Sequence, residues 1–400
     1  MLVSLTEKLS EQSSVKINVV TETFFPFKGG SAKRYYEVFR RLSKSGYDVD
    51  LYTARLREEW ACEEEIDGIH VVRSPKVYRN LITEDGFRDV SQVLDFSLWV
   101  ASKLRNGDDC FLVEANHCPI FPAVASWVRS RLKKALLSVT FHEAWHKEWY
   151  LYSPSKVYPP IGIMLEKMLT WLPDIGIAVS NFTANRLMKF FKMKASKIMV
   201  IPNGVDLGLI GGVRSKRQEH KIVYVGRLNP HKKVDWLLKA FEMLKEKCPH
   251  ADLELIGDGP MYDKYIKYAK KNHLSHVVFR GRVDDEEVIR ALKSSWLYVL
   301  PSVREGQSIT TLEAMASGTP QIVIDTEGNG AAELVSEGQS GLCVKPSARN
   351  IYEAMNCLLE DGETWRELSE NGIKYTSNLT WDNVAEQHDK LYKSLCSRKR

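Results

Sequence analysis

The chain has 400 residues, of which 44% are hydrophobic and 27% are charged. This composition excludes disordered and fibrous proteins, and the length predicts two domains of about 200 residues each. The formal net charge is +5, and residues 1–205 hold 28 of the 56 Lys+Arg but only 23 of the 51 Asp+Glu. So modest an excess, without a zinc-knuckle, helix-turn-helix or aromatic RNA-binding motif, excludes nucleic acid as a partner.

Targeting and thiol signals both indicate a cytoplasmic protein. Residues 1–14 lack the apolar core of a signal peptide, and no run of about 18 apolar residues could span a membrane. The seven cysteines are scattered and form no C-x-x-C pair, which argues for reduced thiols.

Strand and helix signals alternate through the first half. The strand signals cover 16–21, 47–52, 69–73, 110–114, 135–141, 174–179 and 197–201, and the helix signals 31–44, 90–104, 121–134, 160–171 and 183–191. Such alternation predicts a parallel sheet with crossover helices. Gly29 and Gly30, between the first strand and the first helix, would let the backbone approach a ligand, although a tight turn is the plainer interpretation.

Two short motifs in this half raise the question of a metal. Asp48 and Asp50 form D-x-D, but they lie in a strand pattern that points both to the solvent side, so we reject a metal site there. His142, Glu143 and His146 match the zinc-protease motif H-E-x-x-H, which requires a helix. The apolar run before His142 instead predicts the end of a strand, so the zinc protease is the weaker hypothesis and a loop histidine the stronger one.

The second half repeats the alternation. Low periodicity over 207–220 predicts a domain boundary, giving a first domain over 1–205 and a second over 206–380. Apolar residues at helical spacing predict that 381–400 is an amphipathic helix that packs on another part of the protein.

Residues 305–320 follow an apolar strand and lead into a helix, with Glu305 in the loop and Glu313 inside the helix. The free N–H groups at a helix N-terminus favour an anion, and carboxylates accept hydrogen bonds from hydroxyl groups. Phosphate together with hydroxyls suggests a nucleotide sugar. The alternative is that both glutamates are solvated residues at a helix end.

A second candidate site follows the first strand of the second half. Gly226 frees the backbone there, and Arg227 and Lys232 stand five residues apart in one strand-to-helix loop. An arginine fork and a lysine point charge together suit a diphosphate. Without further context, solvated surface residues are the alternative.

Taken in order, these motifs resemble the retaining glycosyltransferases of family 4 over about residues 16–395. The motifs are Gly-Gly after the first strand, Gly-Arg-Leu with a lysine five beyond the arginine, Gly-Asp-Gly-Pro, and the two glutamates of Glu-Gly…Leu-Glu-Ala-Met-Ala-Ser-Gly-Thr-Pro. The resemblance implies the GT-B fold, an α/β arrangement of two Rossmann-like doubly wound parallel-sheet domains facing a cleft. It also implies that the helix over 381–400 crosses back to the first domain.

The resemblance further implies the site. Arg227 and Lys232 would hold the donor diphosphate, Glu313 the ribose, and Glu305 with the backbone of 306–309 the donor sugar and phosphate, while His142 would lie beside that sugar. The implied catalytic set is His142, Arg227, Lys232 and Glu305, and the implied donor-binding set is Gly29, Gly30, Gly226, Arg227, Lys232, Gly257, Arg280, Glu305, Gly306, Gln307, Ser308, Ile309 and Glu313.

The chain departs from the family pattern at three places. Lys233 stands where glycine usually follows the lysine, and Gln307-Ser308 replaces the commoner Phe-Gly. Asn329-Gly330-Ala331 replaces the usual paired glycines before Glu333. The second departure leaves the donor-sugar preference open.

The implied reaction moves a hexosyl group from a UDP- or GDP-sugar to a hydroxyl of a sugar, lipid-linked or polysaccharide acceptor, with retention and without a metal or other cofactor. The alternatives are another GT-B enzyme, such as a sugar-nucleotide epimerase or a phosphorylase, the zinc protease, and a nonenzymatic nucleotide-binding module.

Two segments suggest peripheral contact with the anionic inner face of a membrane. Residues 183–200 hold five cations and no acid among apolar residues, and residues 149–171 are rich in aromatic and aliphatic residues. The alternative is a solvated basic helix face with ordinary core residues beside it. The five cations are Arg186, Lys189, Lys192, Lys194 and Lys197.

Overall fold

The computed structural model describes residues 15–79, 89–104, 111–152 and 156–399, so Cys110 and residues 1–14 lie outside the described part. Within it, the chain forms two α/β domains. The strands of the first domain are β1 (Lys16–Val20), β2 (Asp48–Arg55), β3 (Glu63–Ile66), β4 (Ile69–Val77), β5 (Leu112–Asn116), β6 (Leu136–Phe141), β7 (Ile175–Ala178) and β8 (Ile198–Val200). Its helices are α1 (Gly30–Lys44), α2 (Val90–Lys103), α3 (Ile120–Leu132), α4 (Glu148–Tyr152), α5 (Tyr158–Leu169) and α6 (Asn181–Phe191).

The second domain follows, and a last helix ends the chain. The strands are β9 (Lys221–Val225), β10 (Asp252–Ile256), β11 (Val277–Gly281), β12 (Leu297–Leu300), β13 (Gln321–Ile324) and β14 (Gly341–Val344). The helices are α7 (Leu207–Gly212), α8 (Val234–Lys247), α9 (Tyr262–Lys271), α10 (Asp285–Ser294), α11 (Ile309–Ala316), α12 (Gly330–Gly338), α13 (Ala348–Glu360), α14 (Gly362–Thr376) and α15 (Trp381–Lys399).

Each domain is built on one sheet. The first sheet has the order β3-β4-β2-β1-β5-β6-β7-β8, and the second has the order β11-β10-β9-β12-β13-β14. All strand pairs are parallel except β3 with β4. Helices cover both faces of a parallel sheet, which is why central strands such as β9 and β12 are apolar runs and not alternating patterns. The predicted pair of Rossmann-like domains is confirmed.

Three short elements were not predicted. Strand β3 reads Glu-Glu-Glu-Ile, which carries no strand signal, and it forms because β4 offers an edge for antiparallel pairing. Helix α4 has five residues, and α7 lies in the stretch that was predicted to have low periodicity. Elements this short depend on tertiary contacts more than on their own sequence.

The prediction that Asp50 faces solvent is wrong. Asp50 is buried, and its carboxylate contacts Lys16 Nζ at 3.0 Å and His70 Nδ1 at 2.8 Å. Asp48 is exposed as predicted, and Lys16 Nζ lies 3.6 Å from it. The side chain of Lys16 therefore lies between the two carboxylates of the D-x-D motif.

Residues 183–200 do not present the apolar surface that suggested membrane contact there. Leu187, Phe191 and Met193 belong to the buried core, and the Arg186 side chain is buried too. Arg186 donates to Glu148 Oε2 at 2.6 Å. The apolar residues of α6 therefore face the sheet, because this helix covers a parallel sheet that needs burial on both faces.

Helix α15 returns to the first domain, as the resemblance implied. Trp381, Tyr392 and Leu395 are buried in a core that also contains Val38 and Leu42 of α1. The chain thus crosses between the domains twice, near Val205 and near Thr380, and these two residues pair in a short parallel bridge.

A buried guanidinium, that of Arg34 in α1, anchors both crossings. It donates to the carbonyl oxygens of Ile201 at 2.9 Å and Pro202 at 2.7 Å, and to Asn203 Oδ1 at 3.0 Å. Its Nη2 also lies 3.2 Å from His388 Nε2 in α15. Because arginine can only donate, His388 must accept at Nε2 and is therefore neutral. Burial, and secondarily Arg34, lowers the pKa of His388 well below 6.5.

Within the described residues, none of the helices combines the length and the apolar character that crossing a bilayer requires.

The two domains touch at the loop before α11. A Cβ placed on Gly306 would lie 1.6 Å from the carbonyl oxygen of His142, so only glycine allows this approach. Nearby, Ser180 Oγ donates to the Gly306 carbonyl at 2.9 Å, and the Asn203 N–H donates to Gln307 Oε1 at 2.6 Å. The backbones of the two domains are therefore in direct contact across the cleft.

We predict that the free energy of unfolding falls as pH drops below 6.5, partly through His388. The unfolded chain binds a proton there and the native chain does not, so between pH 7.5 and 5.5 this histidine lowers stability by about 1.4 kcal/mol. Between pH 7.5 and 5.5, the free energy of unfolding in urea should fall by about 1.4 kcal/mol less for His388→Gln than for the parent. The exposed His250→Gln is the matched control, and equal slopes for His388→Gln and the parent would contradict the buried neutral state.

We predict that Gly306→Ala opens the contact between the domains, because the added methyl cannot fit against the His142 carbonyl. Overpacking of this kind costs about 1–3 kcal/mol. X-ray scattering should show a larger radius of gyration for the variant than for the parent. Gly211→Ala is the control, since a Cβ at Gly211 meets nothing within 4 Å. An unchanged radius for Gly306→Ala would refute the contact.

Candidate active site

A cavity of about 620 Å³ lies between the two domains, where the carboxyl ends of several strands of both sheets meet. In open α/β sheets this is the end at which ligands bind. Its walls come from the loop after β1, from the ends of β2 and β4, and from two loops of the second domain. The lining residues are Thr23, Pro26, Phe27, Lys28, Gly29, Gly30, Ser31, Leu56, Arg57, Trp60, Tyr78, Arg79, Arg227, Arg282 and Val283.

Of the predicted donor-binding residues, Gly29, Gly30 and Arg227 line this cavity. Gly29 is the N-cap of α1, and a Cβ on Gly30 would lie 3.8 Å from Ile309 Cδ1 at the start of α11. The N-termini of α1 and α11 therefore approach each other from opposite domains. Both ends favour a negatively charged group.

Lys232 and Glu305, predicted for the donor, pair with each other. Lys232 Nζ lies 2.5 Å from Glu305 Oε1, and both side chains are largely buried. The backbone of Glu305 is held by the loop after β13, because its N–H donates to the Gly328 carbonyl at 3.1 Å and its carbonyl accepts from the Gly330 N–H at 2.8 Å. The structure thus positions this carboxylate beside one cation of the predicted diphosphate site.

The backbone conformation of Lys233 shows why glycine is the usual residue at this position in the family that the sequence resembles. It follows the 3-10 helix Pro230–Lys232 and has φ 49° and ψ 37°, in the left-handed region. That conformation costs a non-glycine residue about 1–2 kcal/mol. The Nζ of Lys233 lies 5.6 Å from the centroid of the Trp236 ring, a cation–π contact at the start of α8.

The departure at Gln307-Ser308 has a structural role. Ser308 caps α11, with its Oγ accepting from the Thr311 N–H at 3.2 Å, and Gln307 accepts the interdomain hydrogen bond from Asn203. Gln307 thereby connects the donor loop to the chain crossing that Arg34 anchors. Both residues hold the loop in place, which leaves its N–H groups ordered at the helix end.

Glu313 is buried and paired across the cleft. Its Oε1 accepts from Lys33 Nζ at 2.7 Å, and Lys33 also contacts Asp285 Oδ2 at 2.9 Å. Although burial opposes it, these two carboxylates raise the pKa of Lys33 above its ordinary value. Lys33 was not predicted from the sequence, because its partner stands 280 residues away.

Ten of the thirteen predicted donor-binding residues lie outside the cavity lining, and Gly257 and Arg280 are two of them. A Cβ on Gly257 would lie 1.9 Å from the Gly226 carbonyl oxygen, so this glycine allows the loops after β9 and β10 to pack together. Arg280 contacts Glu254 and Glu287, each at 3.1 Å. Neighbouring Arg282 lines the cavity instead.

The stretch from His142 to His146 is a loop between β6 and α4, so the helix that H-E-x-x-H requires is not formed. Glu143 Oε2 pairs with Arg304 Nε at 3.1 Å, and the His146 ring stacks on Phe190 with centroids 4.4 Å apart. Glu166 accepts N–H groups from this loop, including that of Trp145 at 2.7 Å. Within the described residues, no three His, Cys, Asp or Glu side chains are grouped to hold a metal.

His142 is a neutral histidine that lies outside the cavity lining. Burial, with smaller effects of His117 and Arg34, lowers its pKa well below 6.5. Its Nε2 is shielded from solvent and has no hydrogen-bond partner among the described residues. Buried polar atoms are nearly always satisfied, so this nitrogen is a candidate to bind a substrate hydroxyl.

Family models match both halves of the chain. Residues 28–209 match Glycosyltransferase Family 4, and residues 212–375 match Glycosyl transferases group 1. One relative, an uncharacterized glycosyltransferase (MJ1178) of Methanocaldococcus jannaschii, is 30% identical over 230 residues, 57% of this chain and 62% of that protein.

Solved structures share the fold. Sucrose-phosphate synthase from Thermosynechococcus elongatus has a TM-score of 0.81 at 21% identity, covering 96% of this chain and 99% of that one. Anabaena HepE in complex with UDP-glucose has a TM-score of 0.71 at 17% identity, covering 95% and 99%. Identities this low establish the fold alone. The two family matches show that the chain belongs to glycosyltransferase family 4, and the solved structures show that it has the GT-B fold.

Proposed function

We propose that the protein transfers a hexosyl group from a nucleoside diphosphate sugar to a hydroxyl group of an acceptor, with retention at the anomeric carbon. The observation that carries this proposal is the approach of the α1 and α11 N-termini beside Arg227 and the Lys232–Glu305 pair. Two helix N-termini and two cations suit a diphosphate with two negative charges.

In this reaction the bond between the anomeric carbon and the diphosphate oxygen breaks, and negative charge develops on the departing nucleoside diphosphate. Arg227 and Lys232 stabilise that charge, which is the largest contribution we assign to the protein. The acceptor hydroxyl attacks on the same face, and its proton passes to the departing phosphate. We assign no protein nucleophile and no metal, and neutral His142 positions the donor sugar through Nε2.

In this proposal, Glu313 accepts hydrogen bonds from the ribose hydroxyls. It is buried in α11, and its Oε1 accepts a hydrogen bond from Lys33. The donor would share or displace that lysine. Since Anabaena HepE was crystallised with UDP-glucose, a UDP-sugar is the first donor to test and a GDP-sugar the second.

A sugar-nucleotide epimerase or a phosphorylase remains the alternative within the fold. An epimerase would convert the donor without any acceptor, and a phosphorylase would consume phosphate and a glycan. Analysis of the products from a UDP-sugar with and without acceptor separates these reactions.

We predict that Arg227→Ala and Lys232→Gln each lower turnover about 100-fold, because each leaves charge on the leaving group uncompensated. Lys232→Gln keeps a hydrogen-bond donor for Glu305, which separates loss of charge from loss of the pair. UDP release from a UDP-sugar should be measured with EDTA present. Lys239→Ala, exposed on α8, is the matched control. Near-normal turnover in both Arg227→Ala and Lys232→Gln would contradict the assignment of these residues to the diphosphate.

We also propose that the first domain contacts an anionic membrane surface through α5, not through α6. Residues 153–155 lie outside the described part, but after them Tyr158, Ile161 and Met164 form an exposed stripe at helical spacing, continued by Trp171. Lys167 Nζ lies 5.6 Å from the Trp171 ring centroid. Helix α3 packs against α5 and exposes Val128 and Leu132 in addition. Apolar residues with adjacent cations suit the lipid interface.

We predict that the protein cosediments with anionic but not neutral vesicles, and that Ile161→Glu with Met164→Glu abolishes most of this binding. Each substitution places a negative charge where apolar contact with anionic lipid is proposed. Ile373→Glu, at an exposed apolar position on α14, is the control and should bind as the parent does. Binding that is unaffected by the α5 variant would rule out this face, and absence of binding at low salt would rule out membrane contact.

A further inference from the structure

The part of the cavity that lies on the first domain carries more positive charge than a donor diphosphate requires. Five of the described lining residues are cationic and none is acidic. Arg227 is assigned to the donor. Three others, Lys28, Arg57 and Arg79, belong to the first domain.

Among the described residues, Arg57 and Arg79 form ion pairs with exposed partners. Arg57 Nη1 lies 3.5 Å from Glu59 Oε1, with both side chains 65% exposed. Arg79 pairs with Glu58, and these side chains are 74% and 68% exposed. Exposed ion pairs of this kind contribute about 0–1 kcal/mol. Both guanidinium groups can therefore turn to a stronger anion in the cavity at small cost.

Trp60 supplies a rigid apolar surface beside these arginines. Its backbone carbonyl accepts from Arg55 Nε at 2.8 Å, and the buried guanidinium of Arg73 lies 5.6 Å from its ring centroid. Arg73 is itself fixed by the carbonyls of Ala61 and Phe25, each at 3.0 Å. These contacts fix the Trp60 ring, which also lines the cavity. An aromatic ring with a polar rim suits the apolar face of a sugar or polyol ring.

From this arrangement we infer that the acceptor is a phosphate ester of a sugar or polyol, with its ring on Trp60 and its phosphate bound by Arg57 and Arg79. An arginine fork matches phosphate oxygens in a bidentate way, and two such groups give selectivity over the uncharged alcohol. The inference rests on the proposed function, because it names the acceptor for that reaction. The phosphate could belong to a free sugar phosphate or to a lipid head group.

The test uses the full chain saturated with UDP, so that the donor cations are occupied. Calorimetric titration with glucose 6-phosphate and with myo-inositol 1-phosphate is compared with titration of glucose and myo-inositol. Dihexanoyl phosphatidylinositol, kept below its micelle concentration, represents a lipid-linked phosphate without offering a membrane surface. We expect at least one phosphate ester to bind at least tenfold more tightly than its uncharged counterpart, and the ester that binds identifies the source.

The variants test the residues. Arg57→Ala and Arg79→Ala should each weaken binding of that ester at least tenfold and leave the affinity for UDP unchanged, and Arg57→Lys should restore part of it. Arg349→Ala, an exposed arginine paired with Glu353 on α13, is the matched control and should change neither affinity. Trp60→Ala should weaken binding of the phosphate ester and binding of its uncharged counterpart by the same factor.

Failure of this inference is distinguishable from failure of the proposed function. If UDP neither binds nor raises the melting temperature, the proposed function fails. If UDP binds but no phosphate ester is preferred over its alcohol, or if neither arginine variant weakens the binding, the acceptor inference is overturned and the transferase proposal stands.

Discussion

The buried guanidinium of Arg34 is the interaction on which the two-domain arrangement depends. It binds the carbonyls of Ile201 and Pro202 where the chain leaves the first domain, and it binds His388 where the last helix returns. Burial lowers the pKa of Arg34 to about 10, which still leaves it charged at neutral pH. Through Asn203 the same group reaches Gln307 in the loop before α11. The chain crossing after β8, the returning helix α15 and the loop before α11 are therefore all connected to Arg34. Removing a hydrogen-bond partner of Arg34 would leave its buried charge uncompensated.

Around this anchor, the charges of the candidate site are paired with one another. Lys232 holds Glu305, and Lys33 holds Glu313 from the opposite domain. Paired, hydrogen-bonded charges can stay buried without a large desolvation penalty. A nucleotide sugar would bring its own phosphates and hydroxyls to the same groups, so that binding exchanges one set of partners for another. Because the pairs orient the cations before the leaving group acquires charge, they meet the condition for electrostatic stabilisation of a transition state.

Most of the fold, but only part of the candidate site, could be predicted from the sequence. Strand β1 and helix α1 lie where they were predicted, because an apolar run, a glycine loop and a periodic stretch define them. The edge strand β3 could not be predicted, since three glutamates form a strand only beside β4. The same limit applies to Asp50, to the apolar side of α6, and to the pair of Lys33 with Glu313. The partner of Lys33 stands 280 residues away, and in the other cases the deciding contact is with another element of the fold, which side-chain patterns do not record because they reflect local preference.

The two sides of the cleft also differ in how they could change during evolution. On the donor side, Gly306 and Gly257 meet backbone atoms of other loops at distances that a Cβ cannot tolerate, so their identity is tied to the fold. On the acceptor side, Arg57 and Arg79 are exposed side chains at strand ends, and replacing them would disturb little packing. The glycines of the proposed donor site are therefore tied to the fold, whereas the proposed acceptor residues are ones that the fold leaves free. The surplus of cations in the first half of the chain includes Arg57 and Arg79, and it is this part of the charge distribution that bears on the acceptor.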